Sequence, residues 1–395
     1  MRLTLRGARL VDALSDRPAA DLVIEAGKIR AAGRVREPLG PALDVAGLIV
    51  TPGFIDVHTH GGGGCNLHTT DAEEIVRYGR WAAGTGTTGF LIAVVGVADG
   101  LPAEQLRAAT VAITASVAAP AGAEALGIHL EGPYISPQHR GAHALAWLRT
   151  PNADETETLL RLAAGHLRLI TLAPELPGAA ALIERLAAAG VRVSIGHTDA
   201  TYEQAQQAIG LGATHTTHCF NAMRPLRHRD PGPLGAVVEA ERVYGELIAD
   251  GVHVHPAVMR VLLRALGADR TVIVTDAQAA AGDAGATFEF AGQPAHVAGG
   301  AVRLRDGTIA GSVLTMDQAL RNVLRLGGVT LSAAVGMLSL NPARVAGVAE
   351  RKGQLRAGYD ADVLLFDEGL TLQATYCRGA VAFATDAWRE RLASI

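Results

Sequence analysis

Residues 48–60 read LIVTPGFIDVHTH, an apolar run that closes on Asp56, His58 and His60. Seven further apolar runs follow, most of them also ending on polar residues: 87–95, 125–131, 167–175, 191–197, 213–220, 244–253 and 271–276. Each has the length and β-branched content of a buried strand. Between most of them lie Ala- and Leu-rich segments at helical spacing, at 72–83, 102–117, 154–162, 179–189, 202–211 and 256–266. Buried strands that alternate with amphipathic helices predict a parallel sheet, and eight such units predict a closed (β/α)8 TIM-like barrel. Residues 51–345 are near the ~250 residues typical of that fold, with room for insertions.

The ends of the chain read differently. Residues 1–50 and 346–395 carry short strand-like pieces, such as TLRGARLV and GQLRAGYDADVLLFD, with turns between them. Neither end is long enough to hold a core alone, so both are expected to join in one small β-sandwich beside the barrel. The stretch 288–311 (FEFAGQPAHVAGGAVRLRDGTIAG) reads as a β insertion after the eighth barrel strand.

Composition narrows the function class. The 395 residues are 49% apolar and 19% charged, as expected of a globular enzyme. Mean hydropathy is +0.22, yet the most apolar run, 90–98, is about half the ~18 residues a bilayer helix needs. The opening MRLTLRGARLVD places arginines and Asp12 where an export signal would need unbroken apolar sequence. With 35 basic against 39 acidic residues there is no basic surplus for nucleic acid. Cys65, Cys219 and Cys377 form no CxxC pair, which points to a reducing cytoplasm.

The chemistry gathers at the strand ends, which form the active face of such a barrel. Strand one brings His58 and His60, two residues apart and therefore on one face. Strand three ends in Glu131, strand five in His197, strand six in His218 and strand eight in Asp276. One histidine of this kind is usually a satisfied core group. Five strand ends of eight bearing His or acid argue for a metal site at the barrel mouth. His215 and His218 are three apart and face opposite ways, so one of them enters the site, and His218 is nearer the strand end. His215 is expected to be structural, and His129 to support the site from deeper in the barrel. The run Gly61–Gly64 lacks the GK[ST] ending of a phosphate loop and is expected to be a flexible turn.

The motifs PGFIDVHTHGGGG, HLEGPYISPQHRGAH, GHTDA, THCFNAM, ADGVH, TDAQAAAG, AGSVLTM, LNPA and GYDADVLLFD occur in order along the chain. Together they resemble the N-acetylglucosamine-6-phosphate deacetylase branch of the amidohydrolase superfamily. HLEGP, THxxNAM and the TDA block are specific to that branch, whereas PGFIDxHxH and GxDAD mark the superfamily.

The resemblance implies a divalent metal, zinc or ferrous iron, on Glu131, His197 and His218, with His58 and His60 as a less certain second site. One or two ions per subunit are therefore expected. Asp276 would be the general base and acid, and His143 would polarise the acetyl carbonyl. The sugar phosphate would meet Ala142, His143, Asn221, Ala222, Arg229, Asp250, Gly251, Val252, His253, Thr308, Ile309 and Ala310. A homodimer is implied, because in this family the partner contributes to phosphate binding. Arg224 and Arg227 are alternative phosphate partners, more simply read as surface arginines. Many two-metal relatives bridge their ions with a carboxylated lysine. Here Lys28 and Lys352 are the only lysines, both outside the barrel, which leaves any bridging role to Glu131.

The expected reaction is metal-dependent hydrolysis of N-acetylglucosamine 6-phosphate to glucosamine 6-phosphate and acetate. The galactosamine epimer, or another amidohydrolase activity, is the alternative. A non-catalytic barrel scaffold would have lost ligands, and His58, His60, Glu131, His197, His218 and Asp276 all remain.

Overall fold

The computed structural model of the chain describes residues 2–36, 39–118, 122–283 and 288–394. Eight parallel strands follow one another in a single sheet: Phe54–Asp56, Thr87–Val95, Glu124–Glu131, Leu167–Leu172, Arg192–Ile195, Ala213–Thr216, Tyr244–Ile248 and Thr271–Val274. They are numbered one to eight below. Every residue of strand two (TTGFLIAVV) is buried, as a strand covered on both faces requires. The last strand meets the first through their ends: Thr275 Oγ1 donates to Asp56 Oδ2 at 2.5 Å, and Asp276 N–H to the His58 carbonyl at 2.9 Å.

A helix follows each strand. The expected helix positions are filled, and two more, Gly232–Glu239 and Met316–Asn322, complete the ring after strands six and eight. The first of these (GPLGAVVE) begins with Gly-Pro and carries no clear polar face, so no amphipathic spacing marks it in the sequence. Local signals set several helix ends. Asp71 accepts from Glu73 N–H at the start of Ala72–Ala83. Thr201 and Gln204 form a reciprocal capping box ahead of Tyr202–Leu211, which ends on Gly212 in the left-handed region.

The run 48–60 does not form one strand. Ile49–Pro52 pairs with Arg2–Asp12 and Val363–Phe366 in a second sheet, and the barrel begins only at Phe54. The break is at Gly53, where a Cβ would lie 2.0 Å from Thr88 Oγ1. The second sheet is mixed and has eight strands drawn from both chain ends. Its apolar cluster includes Leu5, Leu22, Val50, Leu365 and Tyr376, closed by Trp388 of the C-terminal helix.

A buried ion cluster joins this sheet to the barrel. Lys352 pairs with Glu124 at 2.9 Å, with Asp360 at 3.1 Å and with Asp362. After strand eight, Phe288–Phe290, Gln293–Ala298, Ala301–Leu304 and Ile309–Ser312 form the inserted antiparallel sheet. Its apolar face (Phe290, Ala295, Val302, Leu304, Ala310) packs with Val95, Ala142 and Ala280.

Candidate active site

Glu131 closes strand three, and the residues just beyond strands five, six and eight bring His197, His218 and Asp276 to the same end of the barrel. Those three have φ of 47°, 25° and 48°, in a region that costs a non-glycine residue free energy. Holding three such residues at strand ends on one face of the barrel is the signature of a functional site.

The donor atoms converge. His197 Nε2 and His218 Nε2 are 3.1 Å apart, and they lie 3.2 and 3.3 Å from Glu131 Oε1. Ligands at ~2.1 Å from a tetrahedral ion are separated by roughly 3.4 Å, so these three atoms have the spacing of a coordination shell. Glu131 Oε2 faces His60 Nε2 at 3.1 Å, and His58 Nε2 lies 3.3 Å from Glu131 Oε1. Asp276 Oδ1 is 3.3 Å from His60 Nε2 and 3.7 Å from His58 Nε2. The buried His58 Nε2 has no hydrogen-bond partner. Imidazole and carboxylate donors packed this closely fit a divalent ion such as zinc or iron.

The electrostatics agree. Burial disfavours the charge on Glu131, yet His58, His143, His197 and His218 hold its carboxyl well below the usual range. Asp276 is likewise held low, because His58 and His60 outweigh its burial. Burial also opposes protonation of His60, but Asp276 and Glu131 raise it to about 9. His197 goes the other way, driven by burial to about 4, so it stays neutral and able to ligate. Carboxylates crowded at this density demand positive charge at their centre.

A supporting layer orients the rings. His197 Nδ1 donates to the His139 carbonyl at 2.9 Å, which leaves Nε2 with its lone pair toward Glu131. His58 Nδ1 meets Glu246 Oε2 at 2.8 Å. His129 and His215 lie beneath, as expected, in a buried polar chain through Thr171, Thr217 and Ser194. The GGGG turn is braced rather than flexible. Gly61–Gly62 pairs with Cys65–Asn66, Gly63 and Gly64 donate to Ala281 and Ala279, and a Cβ on Gly62 would enter the Trp81 ring.

Over the ligands lies a cavity of about 290 Å³. Of the residues named from sequence, it is lined by His60, Glu131, Ala142, His143, His197, His218, Asn221, Ala222, His253, Asp276, Thr308, Ile309 and Ala310. His58 sits among the ligand atoms without lining the cavity. Asp250, Gly251 and Val252 do not line it. Asp250 instead accepts from the N–H groups of Val252 and His253 and from His253 Nδ1, which aims that ring. Arg229 is exposed and away from the lining, and Arg224 is held by Asp230 and Asp199.

Sequence reasoning missed three kinds of residue. Gly141 and Gly311 contribute only backbone, and they are passed over although each stands beside a residue named from sequence, Ala142 and Ala310. Phe290, which also lines the cavity, belongs to an inserted sheet whose docking face is set by tertiary packing. Glu246 carried a signal: an acid in the middle of the apolar strand Tyr244–Ile248.

Residues 49–387 match the amidohydrolase family model. A protein of Lysinibacillus sphaericus named N-acetylglucosamine-6-phosphate deacetylase is 36% identical over 388 residues, covering 98% of this chain and 99% of that one. One of Escherichia coli O157:H7 named N-acetylgalactosamine-6-phosphate deacetylase is 38% identical over 336 residues, covering 85% and 88%. Among solved structures, an aspartate-to-alanine mutant of the Mycobacterium smegmatis N-acetyl-D-glucosamine-6-phosphate deacetylase, in complex with N-acetyl-D-glucosamine-6-phosphate, superposes with a TM-score of 0.89. It is 34% identical and covers 97% of this chain and 100% of its own.

Proposed function

The chain belongs to the amidohydrolase family, and we propose that it hydrolyses the N-acetyl group of N-acetylglucosamine 6-phosphate, releasing acetate and glucosamine 6-phosphate. The observation that carries this reading is the set of four histidines around Glu131, with Asp276 beside them at the floor of a sugar-sized cavity. Relatives that bear this name and match nearly the whole chain support the choice of substrate.

Glu131, His197 and His218 would hold one ion, with His58 and His60 serving a second, and zinc is the ion we assign, ferrous iron the alternative. A cation held there supplies Lewis acidity that brings a water's pKa toward ~7 and polarises a carbonyl oxygen. Asp276 is held ionised, so it accepts the proton of the attacking water. His143, which lines the cavity beside Glu131, donates to the acetyl oxygen as negative charge develops there. A donor so placed stabilises the transition state by roughly 3–4 kcal/mol. Asp276 then returns its proton to the sugar nitrogen, because an unprotonated amide anion is a very poor leaving group.

No Lys or Arg lines the cavity among the described residues, although a phosphate dianion favours a guanidinium. Arg229, exposed and off the lining, is the group we assign to the phosphate of a partner subunit in a homodimer. A cytoplasmic location suits the three free cysteines, all buried. No role with nucleic acid or membrane is proposed; among the described residues no helix is long and apolar enough to cross a bilayer.

A second reading, the galactosamine epimer, is favoured by the 38% identical relative of that name. Acetate release by zinc-loaded protein from the two 6-phosphorylated epimers and from unphosphorylated N-acetylglucosamine tests both. We expect the glucosamine epimer to be preferred and the free sugar to be poor. Preference for the other epimer would install the second reading, and release from none of the three would overturn both.

A further inference from the structure

Glu246 is a fully buried carboxylate on strand seven, and no Lys or Arg pairs with it among the described residues. Its Oε2 accepts two hydrogen bonds, from His58 Nδ1 at 2.8 Å and from the backbone N–H of His218 at 2.9 Å. The other oxygen, Oε1, has no hydrogen-bond partner and lies 3.7 Å from His215 Nε2. A bare carboxylate in a barrel interior is costly, so its place calls for an explanation.

The bond to Oε2 takes up Nδ1 of His58 as a donor and leaves Nε2 as the ring nitrogen able to ligate. That atom is buried, has no hydrogen-bond partner and faces Glu131 Oε1 at 3.3 Å and Asp276 Oδ1 at 3.7 Å. A ring nitrogen and two carboxylate oxygens gathered this closely form a cradle for a cation. We infer that Glu246 is the positioning residue that makes His58 a ligand, so that His58, His60 and Glu131 take a second divalent ion. The same oxygen anchors the backbone of His218, a ligand of the first ion, and so holds the two shells in one frame. The inference rests on the metal-dependent reading above and concerns its second ion.

The test counts metal rather than turnover. Zinc per chain is measured by mass spectrometry after loading and dialysis, and its affinity by calorimetric titration. Wild type should hold two zinc ions, and E246L and H58A one each, with the E246L/H58A double variant no lower than either. E246Q keeps an oxygen that accepts both bonds but loses the charge. It should still take two ions, the second about 10–100-fold more weakly, as is typical when the partner of a ligating histidine is altered. A wild type that binds one ion, or an E246L that binds two with unchanged affinity, overturns the inference. Should E246L fail to fold, an E246Q with wild-type affinity for both ions overturns it equally. Acetate release is scored separately, so two zinc ions without deacetylation would sink the substrate assignment and leave the role of Glu246 intact.

Discussion

The backbone N–H of Asp276 donates to the carbonyl of His58 across 2.9 Å, so the last barrel strand delivers its carboxylate where the first delivers its imidazoles. That bond sets Asp276 Oδ1 3.3 Å from His60 Nε2 and faces it into the cavity. Asp276→Asn keeps the shape and removes the base. We expect kcat to fall by about 10²–10⁴ while the ion on Glu131, His197 and His218 stays bound. A variant with normal zinc content and most of its turnover would reject the proton-transfer role.

Glu131 engages the imidazoles with both oxygens, Oε1 toward His197 and His218 and Oε2 toward His60. Its replacement by Ala should therefore strip metal as well as activity. Zinc analysis of the purified variant is the check. Full occupancy would show that the histidines alone suffice and that the carboxylate is not a ligand.

Much of this site was readable because a barrel converts strand ends into one location. His58, His60, Glu131, His197, His218 and Asp276 each close an apolar run, and the fold does the rest. What could not be read depends on groups that meet only in three dimensions. The run 48–60 divides between two sheets at Gly53, a position where Thr88, on the neighbouring strand, leaves no room for a Cβ. Asp250 stands in a motif with His253, but only the fold reveals that it braces the ring rather than lining the cavity. Glu246 is passed over because a lone acid in a strand is ordinarily solvent-facing, and its partner His58 lies 188 residues away in sequence.

Arg229 gives a prediction that separates binding from chemistry. If it meets the phosphate from across a dimer, Arg229→Ala should raise KM for the phosphorylated sugar about 10-fold or more, the loss expected of a charge-assisted contact worth roughly 1.5–3 kcal/mol. Turnover of the unphosphorylated sugar should not change. Mixed dimers of R229A and D276N subunits should recover activity, since one of the two sites then has both groups. Equal damage to both substrates would move the phosphate contact elsewhere.

The ion cluster under the barrel predicts how stability depends on pH. Burial opposes the charge on Asp360, but Lys352, Lys28 and Arg351 hold its carboxyl down at about 2. A depressed carboxyl stabilises the fold above its unfolded pKa of ~3.9, and that contribution fades as pH falls toward 2. Lys352 is raised by Asp362, Glu124 and Asp360 against its burial, so its contribution is complete below ~10.4 and is lost at higher pH. Lys352→Met leaves buried carboxylates short of a partner and should cost about 3 kcal/mol near neutrality. Melting temperatures of both proteins from pH 2 to 9 should differ most above pH 4 and converge toward pH 2. A gap that stays constant across that range would mean the loss is one of packing rather than charge.

Phe290 gives a prediction about the acyl group. Its ring lies against two imidazoles of the site, with centroids 5.3 Å from His60 and 5.7 Å from His143. The carbonyl carbon under attack carries two other substituents. If the sugar nitrogen leads toward the polar lining residues Asn221, His253 and Thr308, the methyl meets the apolar cluster of Ala142, Phe290 and Ala310. The ring then limits the length of acyl chain the site accepts. Phe290→Ala should raise kcat/KM for an N-butanoyl substrate relative to N-acetyl by about 10-fold or more, since each buried CH₂ is worth ≈ 0.8 kcal/mol and a steric block is removed as well. The acetyl substrate itself should react more slowly, because its methyl loses a wall that holds it in place. Kinetics with acetyl, propanoyl and butanoyl forms of the same sugar phosphate decide the matter. An unchanged ranking in the variant would place the methyl elsewhere and leave Phe290 as packing beneath the inserted sheet.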